Sequence, residues 1–293
     1  MSETLFPIRE LSARTQVNTV TIRAWERRYG LLTPKRTEKG HRLYSEQDVK
    51  TVEAILALIA RGVSVGKVKA MLKQAPDLDE KQDMTLWQHA ITQIQMVSQG
   101  YQGHTLERLI ADYFVNYPVA VCQQNLFEPV FTALQKENAS NRAQRSFIES
   151  ELLAYTLRRL KNSQTDKPKN QKNEKSLLIS YGENTALWPL LFLCLELTDA
   201  QFNIQLINQT IPLESFIEMR QHNEAQMALF YQDGLWSDAQ TQQAQEALEQ
   251  DANLVICGTA AIISQVVGEN QVFTALGEYS QFALGKMSAS TGG

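Results

Sequence analysis

Residues 162–175 contain no large aliphatic or aromatic side chain, so this stretch can bury almost nothing. Polar segments of this kind connect folded parts of a chain, because burial of apolar surface drives folding. The hydrophobic period also changes here, from helical steps before residue 162 to short alternating runs after residue 175. At 293 residues the chain is longer than one core usually organises. We therefore predict several domains, with a flexible linker at 162–175.

The segments on either side of the linker are predicted to differ in fold. Over 84–161 apolar residues recur at three- and four-residue steps, which favours a bundle of four helices of about 12–18 residues. Over 176–285 short apolar runs alternate with amphipathic ones, which predicts a Rossmann-like parallel sheet with helices on both faces. The predicted fold class is thus multidomain, α and α/β.

Charge separates the N-terminal residues from the rest of the chain. Residues 1–74 hold 14 Lys and Arg against 7 Asp and Glu, a net charge of +7, whereas the remainder has a net charge of −11. A basic segment of this kind suits a polyanionic partner. A polar stretch at 74–83 follows it, and we predict a hinge there because Pro76 stops the preceding helix.

The first basic residues have the pattern of a helix-turn-helix. A short helix at 8–14 precedes a turn at Val17, and Asn18 can cap a second helix at 19–29. In this motif the second helix enters the major groove. Its inward face is predicted to carry Val20, Ala24 and Trp25. Its DNA-facing residues are predicted to be Asn18, Thr19, Thr21, Arg23, Arg27 and Arg28.

A β-hairpin wing is predicted for residues 33–44. The segment alternates in polarity and turns at Gly40. Basic and hydroxyl side chains cluster along it and suit phosphate contacts, which position a protein on DNA without reading sequence. The wing residues predicted to bind DNA are Lys35, Arg36, Lys39, His41, Arg42 and Tyr44.

The pattern from 17 to 48 resembles the signature of the MerR family of winged helix-turn-helix regulators. It reads Val17-Asn18-x-x-Thr21-Ile22-Arg23-x-Trp25-Glu26-x-x-x-Gly30-Leu31-Leu32-x-Pro34-x-Arg36-x-x-x-Gly40-x-Arg42-x-Tyr44-x-x-x-Asp48. The resemblance implies that Asn18, Thr21, Arg23, Arg36, Arg42 and Tyr44 match DNA-contacting positions. It also implies double-stranded DNA as a partner, bound by a homodimer at a palindrome, usually inside a promoter.

The order of a winged helix, a bundle and a parallel sheet is similar to one branch of that family, whose C-terminal module resembles cobalamin-binding domains. In cobalamin binders the loop after the first strand reads Asp/Glu-x-His-x-x-Gly, and the His ligates cobalt. Glu183 fits the acidic position, but Thr185 replaces the His and Trp188 replaces the Gly. A hydroxyl is a poor cobalt ligand beside an imidazole. The module is therefore predicted to be degenerate and to hold no cofactor.

Other cobalamin motifs that the resemblance leads us to look for are also missing. Asn138 lies where the bundle's Trp is expected, and Ile148-Glu149 lies where its Glu-His is expected. The later motifs that would contact the nucleotide tail of cobalamin are replaced by residues 231–232 and 258–259.

Neither metal nor catalytic chemistry is predicted. The four His residues share no metal-ligand spacing, and Cys122, Cys194 and Cys257 are scattered in apolar surroundings typical of core residues. No catalytic triad or phosphate loop occurs, so we predict that the protein is not an enzyme. Without a long apolar run or a signal-peptide pattern, we expect a cytoplasmic, nucleoid-associated protein with no membrane contact.

Three functional hypotheses follow. The first is a dimeric, cofactor-free transcriptional regulator. It is controlled by a protein partner or an unknown small molecule through its C-terminal body, the predicted bundle and parallel sheet of residues 84–285. The second is a cobalamin-dependent, light-sensing transcriptional repressor. The third, a corrinoid carrier for an enzyme, is opposed by Thr185 in the position of the cobalt-ligating His.

Overall fold

The computed structural model describes residues 4–72, 80–165 and 175–290. The chain divides into two compact units, Met1–Tyr155 and Thr156–Gly293. The predicted basic segment and residues 84–155 of the predicted bundle thus belong to one unit. Residues 74–79 of the predicted hinge and 166–174 of the predicted linker lie outside the described residues. The hinge prediction is wrong for residues 80–83, which form the start of a helix. The linker prediction is wrong for residues 162–165, which form the end of a helix.

The first unit begins with a winged helix-turn-helix. Its elements are β1 (Phe6–Pro7), α1 (Ile8–Thr15), α2 (Thr19–Ala24, continued by a π-helical turn, Trp25–Tyr29), β2 (Lys35–Arg36), β3 (Arg42–Tyr44), α3 (Glu46–Ala60) and α4 (Val65–Met71). The three strands form an antiparallel sheet in the order β1-β3-β2. The sequence pattern did not reveal β1, because a two-residue strand has too little alternation to detect.

Four helical segments complete this unit. They are α5 (Glu80–Gln99), α6 (Gly103–Asn116), the continuous run of α7 (Val119–Cys122), a π-helical turn (Gln123–Phe127) and α8 (Glu128–Ala133), and α9 (Ala139–Thr165), whose last ten residues belong to the second unit. Their core includes Phe114, which stacks on Phe127 and Tyr155 with ring centroids 5.9 and 5.1 Å away. Asn138 precedes α9 and caps it, because its Oδ1 accepts a hydrogen bond from the backbone N–H of Asn141 at 2.8 Å.

The second unit is a doubly wound parallel sheet, as predicted. Its elements are β4 (Ser176–Tyr181), α10 (Trp188–Asp199), β5 (Asn203–Thr210), α11 (Leu213–His222), β6 (Met227–Tyr231), α12 (Asp238–Gln250), β7 (Leu254–Cys257), α13 (Thr259–Ile263), β8 (Val272–Phe273) and α14 (Leu276–Ser290). All five strands are parallel, in the order β5-β4-β6-β7-β8. This is one of the two common doubly wound orders.

Successive residues of the central strand β4 face opposite sides of this sheet. Leu177 and Ile179 lie in a cluster with residues of α10 and α14, whereas Leu178 lies in a cluster with residues of α11 and α12. Every residue of β4 is buried, which is why its sequence is apolar rather than alternating. In the described parts of the chain, no helix is both long and apolar enough to cross a membrane.

Candidate DNA-binding surface

The turn between α1 and α2 is built by local backbone chemistry. α1 ends at Gln16, which has a left-handed backbone with φ of 56°, and Val17 then points into the core. Asn18 caps α2, because its Oδ1 accepts a hydrogen bond from the backbone N–H of Val20 at 2.8 Å. The side chain of Asn18 therefore fixes where the second helix begins.

The second helix has two distinct faces. Val20 is 44% exposed, and Arg23 and Arg27 are exposed on the same face, at steps of three and four residues. Thr21 is only 1% exposed, and its hydroxyl lies 3.5 Å from the backbone oxygen of Phe114 in α6. The predicted orientations of Val20 and Thr21 are thus wrong, and the reason is that α6 packs against the face that carries Thr21. Burial of Trp25 is confirmed.

Asn116, at the end of α6, joins the bundle to this helix. The indole Nε1 of Trp25 donates to its backbone oxygen at 2.9 Å, and the hydroxyl of Tyr29 donates to its Oδ1 at 3.0 Å. Arg28 remains exposed, and its Nη1 lies 3.4 Å from the same Oδ1. Sequence reasoning missed Asn116, because a side chain so distant along the chain leaves no local signal.

The wing forms as a tight hairpin. β2 pairs with β3 so that Arg36 faces Arg42, and the turn closes with the N–H of Gly40 donating to the backbone oxygen of Thr37 at 2.8 Å. Gly40 has φ of 80°, a conformation that glycine adopts without strain. The basic side chains of this hairpin that are exposed are those of Lys35, Arg36, Lys39 and His41.

Glu26 ties the wing to the second helix. Its carboxylate accepts a hydrogen bond from Arg42 Nε at 2.5 Å and lies 3.5 Å from Arg36 Nη2. The side chain of Glu26 is only 13% exposed, and its hydrogen bond raises the pKa of the Arg42 guanidinium. Arg42 therefore orients the hairpin in addition to adding positive charge.

The prediction that Tyr44 contacts DNA is also wrong. Its side chain is fully buried, and its hydroxyl has no hydrogen-bond partner among the residues that the structure describes. Burial raises the pKa of this phenol to about 12. Tyr44 closes the sheet against the helices, since it pairs with Phe6 of β1, and it does not reach the surface.

The loop after β4 is where a cobalamin-binding module would ligate cobalt. The residues of this loop do not fit cobalamin. The Thr185 hydroxyl donates to the backbone oxygen of Glu183 and accepts from the backbone N–H of Asp233, both at 3.2 Å. The side chain of Gln232 lies directly over Gly182, where a Cβ would collide with it. Trp188 packs edge-on against Phe192, with ring centroids 6.0 Å apart.

Asp233 also links the carboxyl ends of two neighbouring strands, β6 and β7. Its Oδ1 accepts hydrogen bonds from the backbone N–H and the hydroxyl of Thr259, at 3.0 and 3.1 Å, while its Oδ2 accepts from the hydroxyl of Tyr231 at 2.8 Å. The ends of β6 and β7 are thus linked by internal hydrogen bonds. No group of His, Cys, Asp and Glu suited to a metal ion occurs in the described ranges.

The three cysteines lie in the interior. Cys122, Cys194 and Cys257 are fully buried, as the sequence predicted, and burial raises the pKa of each thiol, that of Cys194 to about 12. Thiols held in this way are protonated and behave as small apolar side chains.

A winged helix-turn-helix with exposed basic residues on its second helix and wing defines a DNA-binding regulator. Comparison with known proteins agrees, since the model of the MerR HTH family regulatory proteins matches residues 6–75. The HTH-type transcriptional regulator MlrA of Salmonella typhimurium is 30% identical over 186 residues, which span 63% of this chain and 73% of that protein. The HTH-type transcriptional repressor CarH of Myxococcus xanthus is 38% identical over 74 residues, 25% of each chain.

The chain belongs to the MerR family of helix-turn-helix regulatory proteins, and it is a transcriptional regulator that binds DNA. A monomethylamine corrinoid protein of Methanosarcina barkeri is similar in structure, with a TM-score of 0.46 and 12% identity over 68% of this chain and 99% of that chain. That score is too low to establish a shared fold, and the fold of the second unit rests on its strand order.

Proposed function

We propose that the protein binds a palindromic promoter site as a homodimer, with helix 19–29 in the major groove and wing 33–44 on the adjacent backbone. The observation that carries the proposal is the exposure of Arg23 and Arg27 on one face of α2, together with the exposed basic side chains of the wing. Guanidinium and ammonium groups at these places suit phosphate oxygens.

The salt dependence of DNA affinity tests this surface. If each protomer neutralises about 4 phosphates, a dimer neutralises about 8, and the logarithm of affinity falls with the logarithm of salt concentration with a slope of about −7. Arg23→Ala removes one contact per protomer, so it should weaken binding to all sequences and reduce the slope by about 2. Fluorescence anisotropy of a labelled duplex at several salt concentrations measures both quantities.

Arg142→Ala is the matched control. Arg142 is 61% exposed on α9 and lies 3.7 Å from Glu137, so its loss removes a surface charge of the same kind away from the proposed interface. It should leave the slope unchanged. Equal slopes for Arg23→Ala and the unmodified protein would contradict the placement of α2, and a salt-independent affinity would contradict the whole surface.

We also propose that the C-terminal body acts without cobalamin, so that control comes through a protein partner or another small molecule. The support is that the Thr185 hydroxyl is used within its own loop and that Gln232 covers Gly182. The test is to purify the protein from cells supplied with adenosylcobalamin. A colourless protein that shifts promoter DNA is expected, and a red protein whose spectrum changes on illumination would favour the light-sensing repressor.

A further inference from the structure

The exposed face of α2 combines charge with one apolar side chain. Among the described residues of the winged helix-turn-helix, only Val20 and Leu72 are large apolar side chains with substantial exposure. Leu72 follows the end of α4, whereas Val20 lies in the first turn of α2. Val20 shares its face with Arg23 and Arg27, the residues proposed to approach DNA.

Packing within the protein does not account for this valine. The neighbouring positions Thr21 and Ile22 are buried, so the inward face of the helix is already filled. Val20 also has a fixed position, because its backbone N–H is held by the Asn18 cap and because a β-branched side chain in a helix has one strongly preferred rotamer. A rigid apolar group is thus presented beside basic ones at the start of the recognition helix.

The major groove offers one apolar group that matches it. Each base pair displays hydrogen-bond donors and acceptors there, and only thymine adds a methyl group, at C5. Residues at the start of a recognition helix are those that contact base edges in a helix-turn-helix. We propose that Val20 packs against the C5-methyl group of a thymine and so selects that base at one position of each half-site. This inference rests on the proposed function, since it requires α2 to lie in the major groove.

Replacement of thymine by uracil isolates the contact, because it removes the methyl group and keeps every hydrogen-bonding group of the base. A duplex that the full-length protein selects from a random-sequence pool serves as the probe, and each thymine is replaced by deoxyuridine in turn. Burial of one methyl group corresponds to about a fourfold change in affinity. One position in each half-site should therefore be sensitive. The unmodified protein should bind a duplex with uracil at that position in one half-site about fourfold more weakly, and a duplex with uracil there in both half-sites about fifteenfold more weakly.

Val20→Ala carries the decisive comparison. This variant should bind the thymine duplex several-fold more weakly and should lose the response to uracil at that position alone. Val20→Thr, which keeps one methyl group at the same branch point, should retain part of the response. Val267→Ala is the matched control, since Val267 is an exposed valine of the second unit, and its uracil response should equal that of the unmodified protein.

The outcomes separate the two claims. If a duplex is selected but no thymine is sensitive to uracil, or if Val20→Ala keeps the same sensitivity, the role of Val20 is refuted and the proposed function stands. If no sequence is enriched from the pool, the proposed sequence-specific function itself is refuted. Circular dichroism of each variant confirms that the helices are intact, as expected for a change at an exposed position.

Discussion

Trp25→Phe tests the hydrogen bond that joins the recognition helix to the bundle. Asn116 is the last residue of α6, so its backbone oxygen has no acceptor role within the helix and is bonded instead by the indole Nε1 of Trp25 at 2.9 Å. Phenylalanine keeps an aromatic ring but removes the donor. The loss of the bond, with a part-buried carbonyl left unsatisfied, should cost about 1–2 kcal/mol.

Trp87→Phe supplies the control for the change in side-chain size. Trp87 is a buried tryptophan of the same unit, and its Nε1 has no hydrogen-bond partner in the described part of the chain. Its replacement by phenylalanine therefore removes a similar volume without breaking a bond. The difference between the two variants measures the hydrogen bond rather than the packing.

Hydrogen exchange followed by mass spectrometry reports the effect on each helix separately, which matters in a chain of two units. A loss of 1–2 kcal/mol corresponds to roughly five- to thirtyfold faster exchange. We expect this acceleration in peptides from α2 of Trp25→Phe, relative to Trp87→Phe, whose tryptophan packs against Tyr113 of α6 instead. Equal exchange in the two variants would show that the bond contributes nothing to the docking of these helices.

Three further predictions concern the wing, the buried phenol of Tyr44 and the carboxyl end of β7. Glu26→Gln should loosen Arg42 and Arg36 and make DNA affinity more salt-dependent, because one negative charge is removed from the basic surface; an unchanged anisotropy slope would contradict this. Tyr44→Phe should leave DNA affinity within about twofold, since a phenol that does not reach the surface makes no phosphate contact. It should also reduce the loss of stability between about pH 10 and 12 in alkaline denaturation, because the folded state keeps a proton that the unfolded chain releases near pH 10; an equal alkaline loss would count against the raised pKa. Gly258→Ala should destabilise the second unit by about 1–3 kcal/mol, since φ is 108° and a Cβ would collide with the backbone of Gln232. Gly277→Ala, at an open helical position, should instead stabilise it by about 0.5–1 kcal/mol, and thermal unfolding that ranks the two variants otherwise would refute the collision.

Periodicity and capping residues were sufficient to predict most of the elements, but not the two-residue strand β1. The four helical segments of the bundle and the parallel sheet follow from steps of three and four residues and from short buried runs, which are local properties of the chain. The Asn18 cap and the Gly40 turn were also predictable, because each depends on the chemistry of a few adjacent residues.

Contacts between distant parts of the chain were not predictable in the same way. The ion pairs of Glu26 with Arg42 and Arg36 require the hairpin to fold back on the helix, and the burial of Tyr44 requires β1. The polar links among Thr185, Asp233 and Thr259 join the ends of different strands. The sequence indicated that a cobalt-ligating His was missing, but only the structure shows how the residues that replace it are bonded.

The recognition helix illustrates the division most clearly. The local pattern of residues 19–29 is enough to predict a helix with two faces, because helical periodicity is a property of adjacent turns. Which face is buried depends on packing against α6, which covers Thr21 and leaves Val20 exposed. The contacting residues of α6, Phe114 and Asn116, lie about ninety residues further along the chain. A neighbour so distant in sequence affects which face is buried without leaving any trace in the local pattern.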